Sequence, residues 1–315
     1  MGNCFVKSKK SPAGCTNRYL PVRLYGSASS TLTAYIRFAL LHKNLTIHFV
    51  PTDTPPFAYE TPVLQIGSET VSGYRETLLH FIETKFPNPP LVTVSVETTP
   101  LVVRVTWLQH QSVMWHIERM VRWTEDLATR RGKKAVDPAV GSPRMEVKKF
   151  EKSYSQLLEV MLEHARMEET VVFPVLERAD RGICKAANEE HARDLPIMNG
   201  IKEDIKSIGV MQYGSATFKE ALCTLAMRLK SLQKHCKQHF EDEEKDLLPL
   251  IEAIDLNEEQ QKVILGQCCD SMKATHSHLF DFFLEGLLPK EAMQYLDIFM
   301  KCSDQEQIAS TPLFR

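Results

Sequence analysis

The chain is 315 residues long, 43% hydrophobic and 25% charged, and its 38 Lys and Arg against 40 Asp and Glu leave a net charge of −2. A chain of this balance buries a substantial core and lacks the basic excess that nucleic-acid binding calls for. No stretch approaches the roughly twenty apolar residues of a membrane span, and eight scattered Cys without a C-x-x-C pair or a signal-peptide pattern lead to the expectation of reduced thiols in a soluble cytoplasmic protein.

In chain order, residues 1–19 read as a leader. Met1-Gly2-Asn3-Cys4 followed by Lys7, Lys9 and Lys10 partly fits a dual lipid signal. Gly2 would take myristate, Cys4 palmitate, and the lysines would face anionic headgroups on the cytosolic side of a membrane. Val6 stands where that motif wants Ser or Thr, and the other reading is an untethered leader.

Residues 20–98 form an α/β domain. Val22 to Gly26 reads as a strand, Thr31 to Lys43 as an amphipathic helix, Leu45 to Val50 as a second strand and Thr61-Pro62-Val63-Leu64 as a third. A turn at Gly67-Ser68 leads through Val71 to a helix over Arg75 to Phe86, closed by Pro87-Asn88-Pro89-Pro90. This order, with a Pro just before a strand, resembles the thioredoxin-like amino-terminal domain of glutathione transferases. The resemblance implies a thiol-activating residue near the first helix, for which Ser27, Ser29 or Ser30 could stand. It also implies a Glu-Ser pair that holds glutathione before the last helix, and here that place reads Ser72-Gly73-Tyr74-Arg75. With the anchoring pair missing, a scaffold that docks a protein partner is expected rather than a transferase.

Residues 99–302 read as an all-α bundle, with 303–315 as a tail. Two stretches seventy-five residues apart repeat one pattern, His164-x-x-x-Glu168-Glu169 running to Pro174 and Glu177, and His239-x-x-x-Glu243-Glu244 running to Pro249 and Glu252. Apolar positions spaced three and four apart mark the buried face of each helix. The first seam is Val147, Phe150, Tyr154, Leu157, Met161, His164, Glu168, Val171, Val175, and the second Leu222, Leu225, Leu229, Leu232, Cys236, His239, Glu243. Each helix thus places an imidazole and a carboxylate, one turn apart, where a core side chain belongs, and a buried carboxylate needs a partner. One such pair is more often a solvated or core hydrogen bond; two in matching register, with the Pro repeated, point to metal.

The same seam test sorts the remaining histidines. His110 is in phase with Val113, Ile117, Met120, Thr124 and Leu127, and His116 is one residue off and held in reserve. His191 shares a face with Leu195, Met198 and Ile205, in a helix that Pro196 is expected to kink. His235 falls off its seam and reads as a surface residue, while His276 and His278 read as structural or exposed. Four His and two Glu form a nitrogen and hard-oxygen set without thiolate, unlike structural zinc or an all-oxygen calcium site. Bundles that project such residues inward commonly hold two ions, most often iron, bridged by carboxylates.

From about Pro100 to Cys302 the chain resembles a hemerythrin-like domain, and among hemerythrins the repeats of plant iron-regulating ubiquitin ligases. The likeness rests on His110-x-x-Val113-x-x-x-Ile117-x-x-Met120, on the two His-x-x-x-Glu-Glu repeats, and on Phe283-Leu284-Glu285-Gly286-Leu287-Leu288-Pro289-Lys290-Glu291. It implies a non-haem di-iron centre that meets dioxygen, with His110, His164, Glu168, His191, His239 and Glu243 as ligands, in a protein of iron homeostasis. Oxygen carriers use a His-x-x-x-His pair and a His followed five residues later by Asp; His235-x-x-x-His239 and His276 with Asp281 offer that pattern superficially. Because His235 leaves the seam and Glu243 continues it, the set matches sensors and regulators rather than carriers, and an iron- or oxygen-responsive binding protein is expected. The alternative is a glutathione-transferase relative whose second domain is merely helical.

Overall fold

The computed structural model describes residues 21–52, 61–91, 99–129, 142–254 and 256–309, the side chains of 143 and 303–309 excepted. Gly2, Cys4 and the basic run Arg130 to Lys134 lie outside them. The chain divides into two units, Met1–Val92 and Thr93–Arg315.

The first unit is α/β. Strand β1 (Val22–Gly26) is followed by α1 (Thr31–His42), β2 (Ile47–Pro51), β3 (Val63–Ile66), β4 (Glu69–Ser72) and α2 (Arg75–Lys85). The sheet order is β2-β1-β3-β4, with β1 parallel to β2 and the other pairings antiparallel. Val22, Leu24, Leu64 and Ile66 bury one face of the sheet in a core shared with Ile36 and Leu40 of α1 and Leu78 and Ile82 of α2. Strand β2 starts two residues later than the sequence pattern implies. Asn44 takes φ 56°, Leu45 donates to the Leu40 carbonyl at 3.2 Å and Asn44 to Leu41 at 2.9 Å, a left-handed cap that consumes Leu45. Strand β3 likewise opens at Val63, opposite Tyr25, because Pro62 has no N–H to give the ladder.

The second unit is all helix: α3 (Leu101–Thr129), α4 (Pro143–Met167), a π turn (Glu168–Val172), α5 (Phe173–Glu177), α6 (Lys185–Val210), α7 (Ala216–Asp242), a second π turn (Glu243–Leu247), α8 (Leu248–Ala253), α9 (Glu258–Ser271), α10 (Phe280–Glu285) and α11 (Pro289–Ala309). Helices α3, α4, α6 and α7 pack each against the next, with α7 returning to α3, as a four-helix bundle. All nine seam positions of the first repeat and all seven of the second are buried. Ala128 to Met145, whose basic run, Pro138 and Pro143 read as a loop in the sequence, is helical at both ends: Ala128 and Thr129 belong to α3, and Ser142 caps α4 by accepting from Met145 N–H. Pro196 sits inside α6 without ending it.

Helices α9, α10 and α11 cover the outside of α3, and α9 also packs on α4. Ser112 Oγ donates to the Phe283 carbonyl and His116 Nε2 to that of Phe282, both at 2.7 Å. A Cβ at Gly286 would stand 2.6 Å from Ser112 Oγ and 2.8 Å from its carbonyl oxygen, so only glycine lets α10 approach α3 this closely. Cys268 is a buried core residue, whereas Cys269 Sγ lies 3.2 Å from Cys302 Sγ of α11.

Candidate metal centre

The backbone of the repeats explains where the carboxylates point. In the first, Phe173 N–H donates to the carbonyl of Glu168, five residues back, and the next residue is Pro174. In the second, Leu248 N–H reaches Glu243 and Pro249 follows. Proline offers no N–H, and its ring clashes with the carbonyl four residues earlier, so the turn ahead of it widens from α to π. Each widened turn begins at the inward-facing Glu, which gives the repeated Pro a structural purpose.

Six side chains converge at the bundle centre. Two groups form, His110, His164, Glu168 and Glu243, and Glu168, His191, His239 and Glu243, with the ligand atoms of each within 4.8 Å of one another. Both carboxylates belong to both groups. Glu168 is 1% exposed and Glu243 3%. Glu168 Oε1 lies 3.5 Å from His110 Nε2 and 3.3 Å from His164 Nε2, and its Oε2 3.4 Å from His191 Nε2. Glu243 Oε2 lies 3.4 Å from His110 Nε2, and its Oε1 3.6 Å from His239 Nε2. These separations are long for hydrogen bonds. His191 Nε2 and His239 Nε2 stand 2.9 Å apart, close to the roughly 3.0 Å edge between neighbouring ligands of an ion with bonds of about 2.1 Å.

Every imidazole turns Nε2 inward and Nδ1 outward. The outer nitrogens are held by Glu244 on His110 (2.9 Å), Gln109 on His164 (2.8 Å), Glu169 on His191 (2.9 Å) and Glu190 on His239 (2.8 Å). A partner at Nδ1 fixes the tautomer and leaves the Nε2 lone pair free for a metal. Phe240 stacks on His110 with centroids 4.1 Å apart and planes 8° from parallel, a dry wall against the ring.

Burial and charge oppose one another at this site, a conflict that bound cations would relieve. Burial opposes charge on Glu168, yet the surrounding His164, His110 and His191 hold its carboxyl well below the usual range. Burial, and then the neighbouring Glu168, push Glu243 up, since two carboxylates cannot both ionise freely at this spacing. Burial also works against charge on His110 and His191, but the carboxylates override it, raising His110 well above its ordinary value and His191 to about 9. His164 is driven down to about 3 by burial. Even so, His110 Nε2, His164 Nε2, Glu168 Oε2 and both oxygens of Glu243 are buried without a hydrogen-bond partner. Inward lone pairs from nitrogen and oxygen, orphaned and partly charged, fit metal cations.

The other histidines are elsewhere. His116 stacks on Phe282 at 3.8 Å, and burial lowers it to about 4. His235 bonds Asp194 at 3.2 Å with 32% of its side chain exposed. His276 Nδ1 donates to the Cys269 carbonyl and its Nε2 accepts from Tyr295 Oη, while His278 lies at the surface near Glu159. Sequence reasoning missed Gln109, Glu190 and Phe240, which lie off the seams. Glu169 and Glu244 were visible as the second Glu of each repeat, without a role.

A cavity of about 240 Å³ between α4, α6 and α7 opens on His164, His191 and His239, with Met161, Leu195 and Phe240 in its wall. No helix among the described residues is long and apolar enough to cross a membrane. A comparison with curated proteins finds no match. Residues 101–251, from α3 to α8, nonetheless match the hemerythrin HHE cation binding domain, and together with the converging His and Glu side chains this match supports metal binding by the helical unit.

Proposed function

We propose that the helical unit binds two iron ions and serves as an iron- or oxygen-responsive regulatory domain. His110 and His164 would hold one ion and His191 and His239 the other, with Glu168 and Glu243 available to both. The observation that carries this reading is that both carboxylates belong to both ligand groups. A donor set of imidazole and carboxylate without thiolate supports iron over structural zinc. Bound iron supplies Lewis acidity and affinity for dioxygen or related small molecules. The protein's own part is to hold the imidazoles by their outer nitrogens, keep the centre dry with Phe240, and leave the cavity beside His164, His191 and His239 as the approach. His235, which a carrier-type His-x-x-x-His pair would bring to the centre, instead bonds Asp194 outside both ligand groups, which supports a regulatory use over oxygen carriage.

Metal analysis of the purified chain tests the reading. About two iron per chain is expected, falling sharply in His164→Ala and His239→Ala and persisting in His235→Ala. Absence of bound iron, or equal loss from His235→Ala, overturns it.

The first unit is read as thioredoxin-like and as a docking surface for a protein partner. Its strand order and mixed pairing support that fold. In place of a glutathione anchor, Arg75 donates to Tyr35 Oη at 2.9 Å and lies over the Tyr35 ring, which supports a non-catalytic use. Retention on immobilised glutathione would revive the transferase alternative. Attachment through Gly2 and Cys4 remains a proposal, checked by mass spectrometry of the amino-terminal peptide.

A further inference from the structure

The outer contacts of the four imidazoles obey an internal two-fold pattern. One half of the site comes from α3, α4 and the first π turn, the other from α6, α7 and the second. Within each half, the residue just before the first His holds the Nδ1 of the second: Gln109 on His164, and Glu190 on His239, both at 2.8 Å. Between halves, the residue just after the bridging carboxylate crosses over: Glu169 to His191, and Glu244 to His110, both at 2.9 Å. The pattern is broken at a single place, where one half has Gln109 and the other Glu190.

The break follows from burial. Gln109 is 1% exposed, and Tyr295 Oη is within hydrogen-bonding reach of its amide. A carboxylate there would be a fully buried charge, whereas Glu190 keeps 25% of its side chain in solvent. The amide orients His164 as well as a carboxylate would but leaves its ring less basic. An imidazole whose N–H points at a carboxylate is the stronger metal ligand, and loss of such a partner typically lowers affinity about 10- to 100-fold.

We infer that the two metal positions are inequivalent: the His191/His239 position, backed by two carboxylates, fills first, and the His110/His164 position, backed by Glu244 and the amide of Gln109, holds a second, weaker and exchangeable ion. This rests on the two-ion reading above and adds an order to it. A protein with one fixed and one exchangeable ion reports on free metal over the range where the second position fills.

The test is an anaerobic titration of the full, metal-free chain with ferrous ion alone, read by competition against a chromophoric chelator. The natural chain should bind two ions with affinities at least about ten-fold apart. Mutual repulsion of the ions would also separate them, so the discriminating variant is Glu190→Gln, which makes the two outer shells alike. It should weaken the first phase roughly 10- to 100-fold and bring the two within a few-fold. Because Glu190 is partly solvated, folding should survive, and an unchanged circular-dichroism melt of the metal-free variant checks that. His164→Ala should remove the weaker phase and His239→Ala the tighter. Two ions bound in the natural chain with one common affinity, or a Glu190→Gln variant that weakens the second phase instead, overturn the order while leaving the two-ion reading intact. A natural chain that binds no iron overturns both.

Discussion

Removing the metal should destabilise the helical unit by an amount that its buried ligand atoms allow to be estimated. Five buried polar atoms lack partners there, namely His110 Nε2, His164 Nε2, Glu168 Oε2 and the two oxygens of Glu243. Each such atom costs about 1–3 kcal/mol, so the metal-free fold carries a burden on the order of 5 kcal/mol even at the low end. Mass action gives a similar figure, since each ion at a hundred times its dissociation constant adds about 2.7 kcal/mol. At about 2–4 °C per kcal/mol for a domain of this size, metal should raise Tm by roughly 10–20 °C. Calorimetry with and without chelator measures the shift. Hydrogen exchange should localise it to the amides of Phe173 and Leu248, which close the turns bearing Glu168 and Glu243. In the metal-free state Glu243→Met should be neutral or stabilising by about 1–3 kcal/mol, because it removes a buried carboxyl neither of whose oxygens has a hydrogen-bond partner, and it should abolish the response to metal. A shift under about 2 °C at saturating metal, or a Glu243→Met chain that still responds in full, refutes the reasoning.

Three further outcomes follow from other parts of the unit. Gly286→Ala should cost about 2–4 kcal/mol in urea unfolding, because the added methyl meets the Ser112 carbonyl at 2.8 Å and forces α10 off α3; a change under about 0.5 kcal/mol would mean the contact yields freely. His116 and His276, both lowered to about 4 chiefly by burial, favour the fold while neutral. Their contribution is complete above the unfolded value near 6.5 and is lost as pH falls through about 4, so acid melts of His116→Phe should be flatter between those limits than those of the natural chain, and a parallel profile would exclude His116 as a cause. Pro249→Ala restores an N–H that can close an α turn onto Lys245, so the π turn should relax and metal affinity fall at least about ten-fold, with less than about 1 kcal/mol lost from the metal-free fold; unchanged affinity would separate the proline from the placement of Glu243.

The seams of the long helices were legible because burial in a bundle repeats with the helix itself. Every seam residue from Val147 to Val175 and from Leu222 to Glu243 is buried, and His110 and His191 arrive at the same centre from their own helices. The outer partners were not legible, since Gln109 and Glu190 act across a helix pair and Glu169 and Glu244 act across the two halves. No spacing along one helix encodes such crossings. His116 shows the complementary limit: one residue off the seam in the middle of α3 is still inside, because α10 covers that flank. Strand limits moved for local reasons, the left-handed cap at Asn44 and the missing donor of Pro62.

Both widened turns end where a second apolar cluster begins. Phe173, Val175 and Leu176 beyond one, and Leu248 and Ile251 beyond the other, pack together with Val102, Ile264 and Met272. Glu168 and Glu243 are therefore each clamped between a long helix below and this plug above. The plug bears on where the two Glu stand, as a keystone bears on the span of an arch. A size change at Ile251 can thus shift the two carboxylates from outside the ligand set, whereas Phe173 also stacks on the His191 ring, with centroids 5.9 Å apart.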